Sequence, residues 1–191
     1  MKKPDKRDKI VQASLDLIAE YGFHGAPMSL IAEKAGVAAG TIYCYFKSKD
    51  ILITELFHEL EDKIISAMTE GYSEERPVRE RYVYLCTKLL NYFVQYPRHF
   101  RFMEQHINSP YGVALRRDRF MGKSGGQNPF VNLFEQGIAQ QVLKDLSLFV
   151  LSALTFSPLI ALARDHTFDL IKLDESTIMR SIEACWDGVK R

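Results

Sequence analysis

The chain has 191 residues, 47% of them hydrophobic and 26% charged, with 25 Lys and Arg against 24 Asp and Glu. That composition belongs to one or two globular domains and excludes the disordered and fibrous classes. A formal net charge of +1 excludes a protein that coats nucleic acid or membrane by bulk electrostatics, so any basic surface has to be local.

The N-terminal arm, MKKPDKRDKI, is one such place: Lys2, Lys3, Lys6, Arg7 and Lys9 stand against Asp5 and Asp8, a local charge of +3. Taken alone it reads equally as a solvated, frayed terminus or as a cationic arm. Because this start is charged where a signal peptide would be apolar, the expected location is the cytoplasm, with no membrane partner. Cys44, Cys86 and Cys185 are odd in number, far apart and without a C-x-x-C, which fits a reducing compartment and suggests neither disulfides nor a thiolate zinc site.

Helical periodicity runs through most of the chain and period-two β-branched runs do not occur, so the expected fold is all-α. Ile10, Ala13, Ser14, Leu17, Ile18 and Tyr21 share one face of a first helix that stops at Gly22. Pro27 suits the start of a second, short helix, whose Ile31, Ala32 and Ala35 face inward before Gly36. A third begins near Ala39, with Ile42 and Phe46 inward and Thr41 and Tyr45 outward. Two short helices across a tight glycine turn are the helix-turn-helix pattern.

From Asp50 a longer amphipathic helix carries Leu52, Leu56, Leu60 and Ile64 to about Glu70, and further helices are predicted over 77–96, 98–108, 129–136, 146–165 and 174–189. The stretch Gly122 to Asn128, GKSGGQN, lacks the order of a phosphate-binding loop and reads as a connection. Leu146 to Ala163 is the most apolar stretch, but it carries Ser147, Ser152, Thr155, Ser157 and Pro158 and reads as a buried helix rather than a membrane span.

Spacing alone leaves the helix-turn-helix open, since many helical proteins join short helices at glycine. The residues themselves are more specific. Ile31-Ala32, Ala35-Gly36-Val37, Gly40-Thr41-Ile42-Tyr43, Tyr45-Phe46, Ser48-Lys49-Asp50 and Leu52, with Ile18 and Tyr21-Gly22-Phe23 upstream, closely resemble the DNA-binding domain of TetR-type transcriptional regulators. The resemblance implies a three-helix helix-turn-helix domain over about 1–50. It also implies a larger helical ligand-binding and dimerisation domain over 51–191, linked by the helix from 50 to 70.

Phosphates supply most DNA affinity, whereas base edges supply sequence choice. The residues expected at DNA are Ala39, Gly40, Thr41, Tyr43, Tyr45 and Lys49. Gly40 lets the backbone approach the duplex, the two phenols can donate to phosphate oxygens, and Lys49 opens the fourth helix, where an anion is favoured. The plainer alternative has Tyr43 and Tyr45 covering a small core. Family side-chain caps are missing at Ala26 and Ala38, at about 0.5 to 2 kcal/mol each in an ordinary helix.

The C-terminal region is large enough to bury its own core. Its last helix carries Ile178, Ile182, Cys185, Trp186 and Val189 on one stripe, and Ile178, Ile182 and Trp186 are the expected homodimer contacts, packing within the chain being the alternative. Aromatic residues are dense between Tyr82 and Phe134. Tyr92, Tyr96, Phe100, Met103, Phe130, Phe134 and Phe156 are the expected lining for an amphipathic or aromatic small molecule, a cationic one included.

The histidines are scattered, and no metal set, cofactor motif or catalytic signature is visible. With the resemblance to TetR-type regulators, the expectation is a non-enzymatic, ligand-responsive regulator, a repressor that binds palindromic operator DNA as a homodimer and is released by a small molecule. The alternative is a helical small-molecule-binding protein or enzyme without operator binding.

Overall fold

The computed structural model describes residues 5–120 and 128–191, and the regular elements among them are ten α-helices. Lys2, Lys3 and the GKSGGQN stretch as far as Gln127 lie outside the described residues. In chain order the helices are α1 (Lys6–Gly25), α2 (Met28–Ala35), α3 (Ala39–Tyr45), α4 (Lys49–Thr69), α5 (Val78–Gln95), α6 (Pro97–Ile107), α7 (Pro110–Phe120), α8 (Pro129–Ala139), α9 (Leu148–Thr167) and α10 (Glu175–Val189). The all-α expectation holds. The sequence reading has no counterpart to α7: Pro110 and Gly112 look like a turn, and the Arg116-Arg117-Asp118-Arg119 run offers no apolar stripe.

The chain forms two compact units, one made of 1–63 with 98–113 and the other of 64–97 with 114–191. This division differs from a boundary at residue 50, because most of α4 and nearly all of α6 belong to the first unit.

In the first unit, Asp5 and Asp8 form a capping box that starts α1. The apolar stripe of α1 then buries Ile10, Leu17 and Ile18. Gly36, at φ 66°, ends α2 in the left-handed region and donates its N–H back to Ala32 and Glu33, giving the sharp turn that a Cβ would strain. Ile31, Ile42 and Phe46 are fully buried, about 1.5 to 3 kcal/mol each, in the core where α2 packs against α1 and α3. Four contacts tie α6 to the same core: Arg98 pairs with Asp16 at 2.8 Å, Gln105 bonds the Ile18 carbonyl at 2.9 Å, Phe102 meets Phe23 edge-on, and His106 stacks on Phe57 at 4.0 Å.

In the second unit α5 is central, packed against α8, α9 and α10. Tyr82 on α5 lies 5.2 Å from Trp186 on α10, and Ile178, Ile182 and Trp186 are 3%, 0% and 4% exposed. The expectation that this stripe meets a partner chain is therefore corrected: it is buried inside the unit, where α9 and α5 both pack against α10.

A second correction concerns the apolar stretch of α9. Only Leu151, Thr155, Leu159 and Ala163 are buried, while Phe149, Val150 and Leu154 are 51%, 42% and 43% exposed. By length, and by a mean hydropathy of 1.5 over its most apolar 18 residues, the helix is long and apolar enough to cross a membrane, and 22% of that window is buried.

Candidate nucleic-acid interface

The α2–turn–α3 corner presents α3 outward. Ala39 and Gly40 are exposed, Thr41 is half-buried, and Tyr43 and Tyr45 are 53% and 39% exposed, while Ile42 and Phe46 on the opposite side are 0% exposed. The phenols are thus open to solvent on the side away from Ile42 and Phe46. Ala38 caps α3 without a side-chain bond, as its methyl group dictates. Pro27 rather than Ala26 occupies the N-cap of α2, one residue from the expected start, and it too makes no side-chain cap.

The seven residues of α3 include no charged side chain, so cations for phosphates must come from its flanks. Lys49, assigned to that task from sequence, and Arg7 of the N-terminal arm both have structural partners instead. Lys49 is half-buried and its ammonium donates to the Phe23 carbonyl, with burial lowering its pKa. The end of α1 leaves carbonyls without intrahelical partners, and Lys49 satisfies one of them. Arg7 pairs with Glu55 at 2.8 Å and Glu59 at 2.6 Å and stacks over the Phe46 ring at 5.5 Å; the two carboxylates raise its pKa.

Among the described residues, Lys34 on α2 and Lys47, two positions past the end of α3, are exposed cations close to α3 in sequence, and Lys6 and Lys9 are exposed on the first turn of α1. Lys47 stands in the same Phe-Lys-Ser-Lys-Asp string as Lys49. Only the fold distinguishes the free amine from the engaged one.

Residues 10–56 match the family model described as bacterial regulatory proteins of the tetR family. Residues 77–190, more than half of the chain, match the tetracyclin repressor-like C-terminal domain. The chain belongs to the TetR family. A TetR family transcriptional regulator from Vibrio parahaemolyticus is 35% identical over 98% of this chain and 99% of its own, with a TM-score of 0.78. An HTH-type transcriptional regulator of Haemophilus influenzae is 26% identical over 99% of this chain and 98% of its length. The fatty acid metabolism regulator protein of Bacillus subtilis is 38% identical over 86 residues, 45% of this chain and 44% of that protein. The structure of Bacillus subtilis FadR in complex with stearoyl-CoA shares the fold at 20% identity, a TM-score of 0.70, and coverage of 94% and 95% of the two chains. As a TetR family protein, this chain is a DNA-binding helix-turn-helix transcriptional regulator.

The aromatic residues expected to line a ligand site fall into three groups. Phe130, Phe134 and Phe156 form one ring cluster in the second unit, with Phe156 4.3 Å from Phe130 and 6.1 Å from Phe134. Tyr92 and Tyr96 are paired at 4.7 Å near the end of α5; Tyr96 is 41% exposed, and burial pushes the Tyr92 phenol up to about 12. Phe100 and Met103 are corrected to core residues of the first unit, 1% and 8% exposed, because α6 packs there. An open cleft of about 370 Å³ lies along α5, lined by Glu70, Tyr84, Thr87, Lys88, Asn91 and Tyr92 among others.

Sequence reasoning passed over Arg81, which is 1% exposed in the second unit. Its Nε donates to the Tyr72 hydroxyl at 2.8 Å and its Nη1 to Gln136 Oε1 at 2.6 Å. The signal was present: position 81 falls on the buried stripe of Val78, Tyr82, Leu85 and Leu89.

Proposed function

We propose that this regulator is a repressor that binds a two-fold symmetric operator as a homodimer and leaves it when a small molecule occupies the second unit. The observation that carries the reading is the uncharged, outward α3 face with Tyr43 and Tyr45, flanked by Lys34 and Lys47. Two such faces related by a two-fold axis read a palindrome with one base set in each half-site.

The second copy is supported by α9, where Phe149, Val150 and Leu154 expose a contiguous apolar face, and by Met179, Ala184 and Gly188, exposed on α10. A soluble monomer rarely leaves such a face open, and small residues allow helices to approach closely. The ligand reading is supported by FadR of the same fold, solved with stearoyl-CoA. For release to follow binding, the small molecule must favour the arrangement that does not bind DNA; equal affinity for both arrangements would shift nothing. No catalysis is assigned, and the site of action is the cytoplasm, with the operator.

The test is selection of duplexes from a randomised pool by the full chain. The expected result is a palindromic consensus whose affinity falls steeply with salt. Recovery of no preferred duplex, or of a non-symmetric one bound by a monomer, would remove the reading.

A further inference from the structure

Two arginines stand two residues apart on α5, in opposite situations. Arg79 is exposed and holds the Glu183 carboxylate with both oxygens, at 2.7 and 2.8 Å. Arg81 is 1% exposed, yet among the described residues no carboxylate lies within ion-pairing distance of it. Its two hydrogen-bond acceptors, the Tyr72 hydroxyl and the Gln136 side-chain carbonyl, are neutral, and its Nη2 is buried with no partner among the described residues. The Tyr72 ring lies 5.5 Å from the guanidinium, so quadrupole attraction compensates part of the charge and no more.

A guanidinium stays charged at any pH a cell reaches, so it cannot escape burial by losing its proton. Burying such a charge without an anion is costly, and leaving one donor unpaired adds to the cost. A site that carries both costs, with a planar fork whose geometry matches two oxygens, is built for an oxyanion.

We infer that Arg81 is an anion-binding residue of the second unit and that the small molecule it receives carries a carboxylate or phosphate group. Tyr72 and Gln136, each half-buried, cover the guanidinium and orient it. Gln136 shares α8 with the buried rings of Phe134 and Phe130, about half a turn and a little under two turns before it, which form the apolar surroundings of this end of the unit. A cationic ligand is excluded from this position by repulsion. The inference rests on the reading of the second unit as the effector-binding part and supplies the head group of that effector.

The probes are octanoate, octyl phosphate and octanol, which share one chain and differ in the head group. The full chain is followed by its thermal midpoint and by fluorescence of Trp186, its single tryptophan, 5.2 Å from the Tyr82 ring next to Arg81. The expected result is that an anionic probe raises the midpoint by about 2 to 4 °C and octanol does not. A response to octanoate alone assigns a carboxylate, and one to octyl phosphate alone assigns a phosphate. In Arg81→Gln the response disappears while the unliganded midpoint holds or rises, since an uncompensated charge has been removed. Arg81→Lys keeps the charge without the fork, and its half-saturating concentration rises at least about tenfold.

The inference is overturned if neither anion acts, if the response survives undiminished in Arg81→Gln, or if Arg81→Lys binds as wild type does. A fall of several degrees in the unliganded Arg81→Gln midpoint would equally overturn it, by showing a purely structural arginine. Operator release is read separately. An anion that binds through Arg81 without releasing DNA overturns the effector reading and leaves this one standing, whereas release by octanol, unchanged in Arg81→Gln, does the reverse.

Discussion

Gln105 on α6 donates from its side-chain amide to the carbonyl of Ile18 on α1, 2.9 Å away. The oxygen of the same amide lies 3.3 Å from where a Cβ on Gly22 would stand, and Gly22 is in the left-handed region at φ 75°. One side chain from 87 positions downstream therefore both closes α1 and watches its break. Gln105→Ala should lower the stability of this unit by about 1 kcal/mol, one net hydrogen bond. Gly22→Ala should cost about 1 to 2 kcal/mol, since it adds a left-handed Cβ and displaces the amide. Urea midpoints at constant slope measure both, and a Gly22→Ala midpoint equal to wild type would contradict the packing described.

His106 carries a pH dependence. It is 3% exposed and stacked on Phe57, and its Nδ1 has no hydrogen-bond partner among the described residues. Burial, with a smaller contribution from His58, lowers its pKa from 6.5 to about 4. The unfolded chain thus binds the extra proton between those values, so this contribution is fully present above pH 6.5 and fades as pH falls toward 4. By pH 5 the loss should be about 2 kcal/mol relative to pH 8. His106→Phe keeps the stack and removes the proton. Chemical denaturation at pH 8 and pH 5 should show a flatter profile for the variant, and parallel profiles would show that His106 is not the group responsible.

The helix-turn-helix was legible because each of its parts is local. Gly36 needs a left-handed turn, Ile31, Ala32 and Ala35 repeat at helical spacing, and Ile42 and Phe46 share a face with no contribution from distant chain. What failed to show was decided by partners far along the sequence. Lys49 and Lys47 are alike as letters, but the Phe23 carbonyl, 26 positions away, engages only the first. The Ile178, Ile182, Trp186 stripe had to be covered, and periodicity cannot say whether its own unit or another chain covers it. Arg81 was readable in principle as an arginine on an apolar stripe. Its missing counter-ion was not, because that is a property of every side chain around it.

The burial of that stripe changes which variant tests the dimer. Leu154, 43% exposed on α9, is the position for a charge: Leu154→Glu should give a folded monomer with native helix content and much weaker operator binding. Ile182 is 0% exposed, so Ile182→Glu buries an unpaired carboxylate in the unit's own core and should lower the thermal midpoint whatever the assembly does. Sedimentation and thermal melts on the two variants separate these effects. A Leu154→Glu dimer as tight as wild type would move the interface elsewhere.

At the DNA face, positioning and specifying residues should respond differently to the same experiment. Lys47 is exposed two positions past the end of α3, whereas Lys49 is half-buried against Phe23. Lys47→Ala should weaken binding to all sequences alike and flatten the salt dependence by about one unit of slope. Lys49→Ala should lower the unfolding midpoint and change the salt slope less, because its charge is already engaged by the end of α1. Tyr43→Phe and Tyr45→Phe remove neutral donors, so affinity should fall with the slope unchanged. Ala39 is exposed at the head of α3 and offers only a methyl group, which can meet a thymine methyl but cannot hydrogen-bond a base. Ala39→Gln should therefore shift preference at one position of each half-site, by about 1 to 3 kcal/mol against the original base. Selection from a randomised duplex pool, run at two salt concentrations with wild type and these variants side by side, reads every one of these effects. An Ala39→Gln consensus identical to wild type would take Ala39 off the base edges, and a slope lost with Lys49 rather than Lys47 would reverse the two lysines.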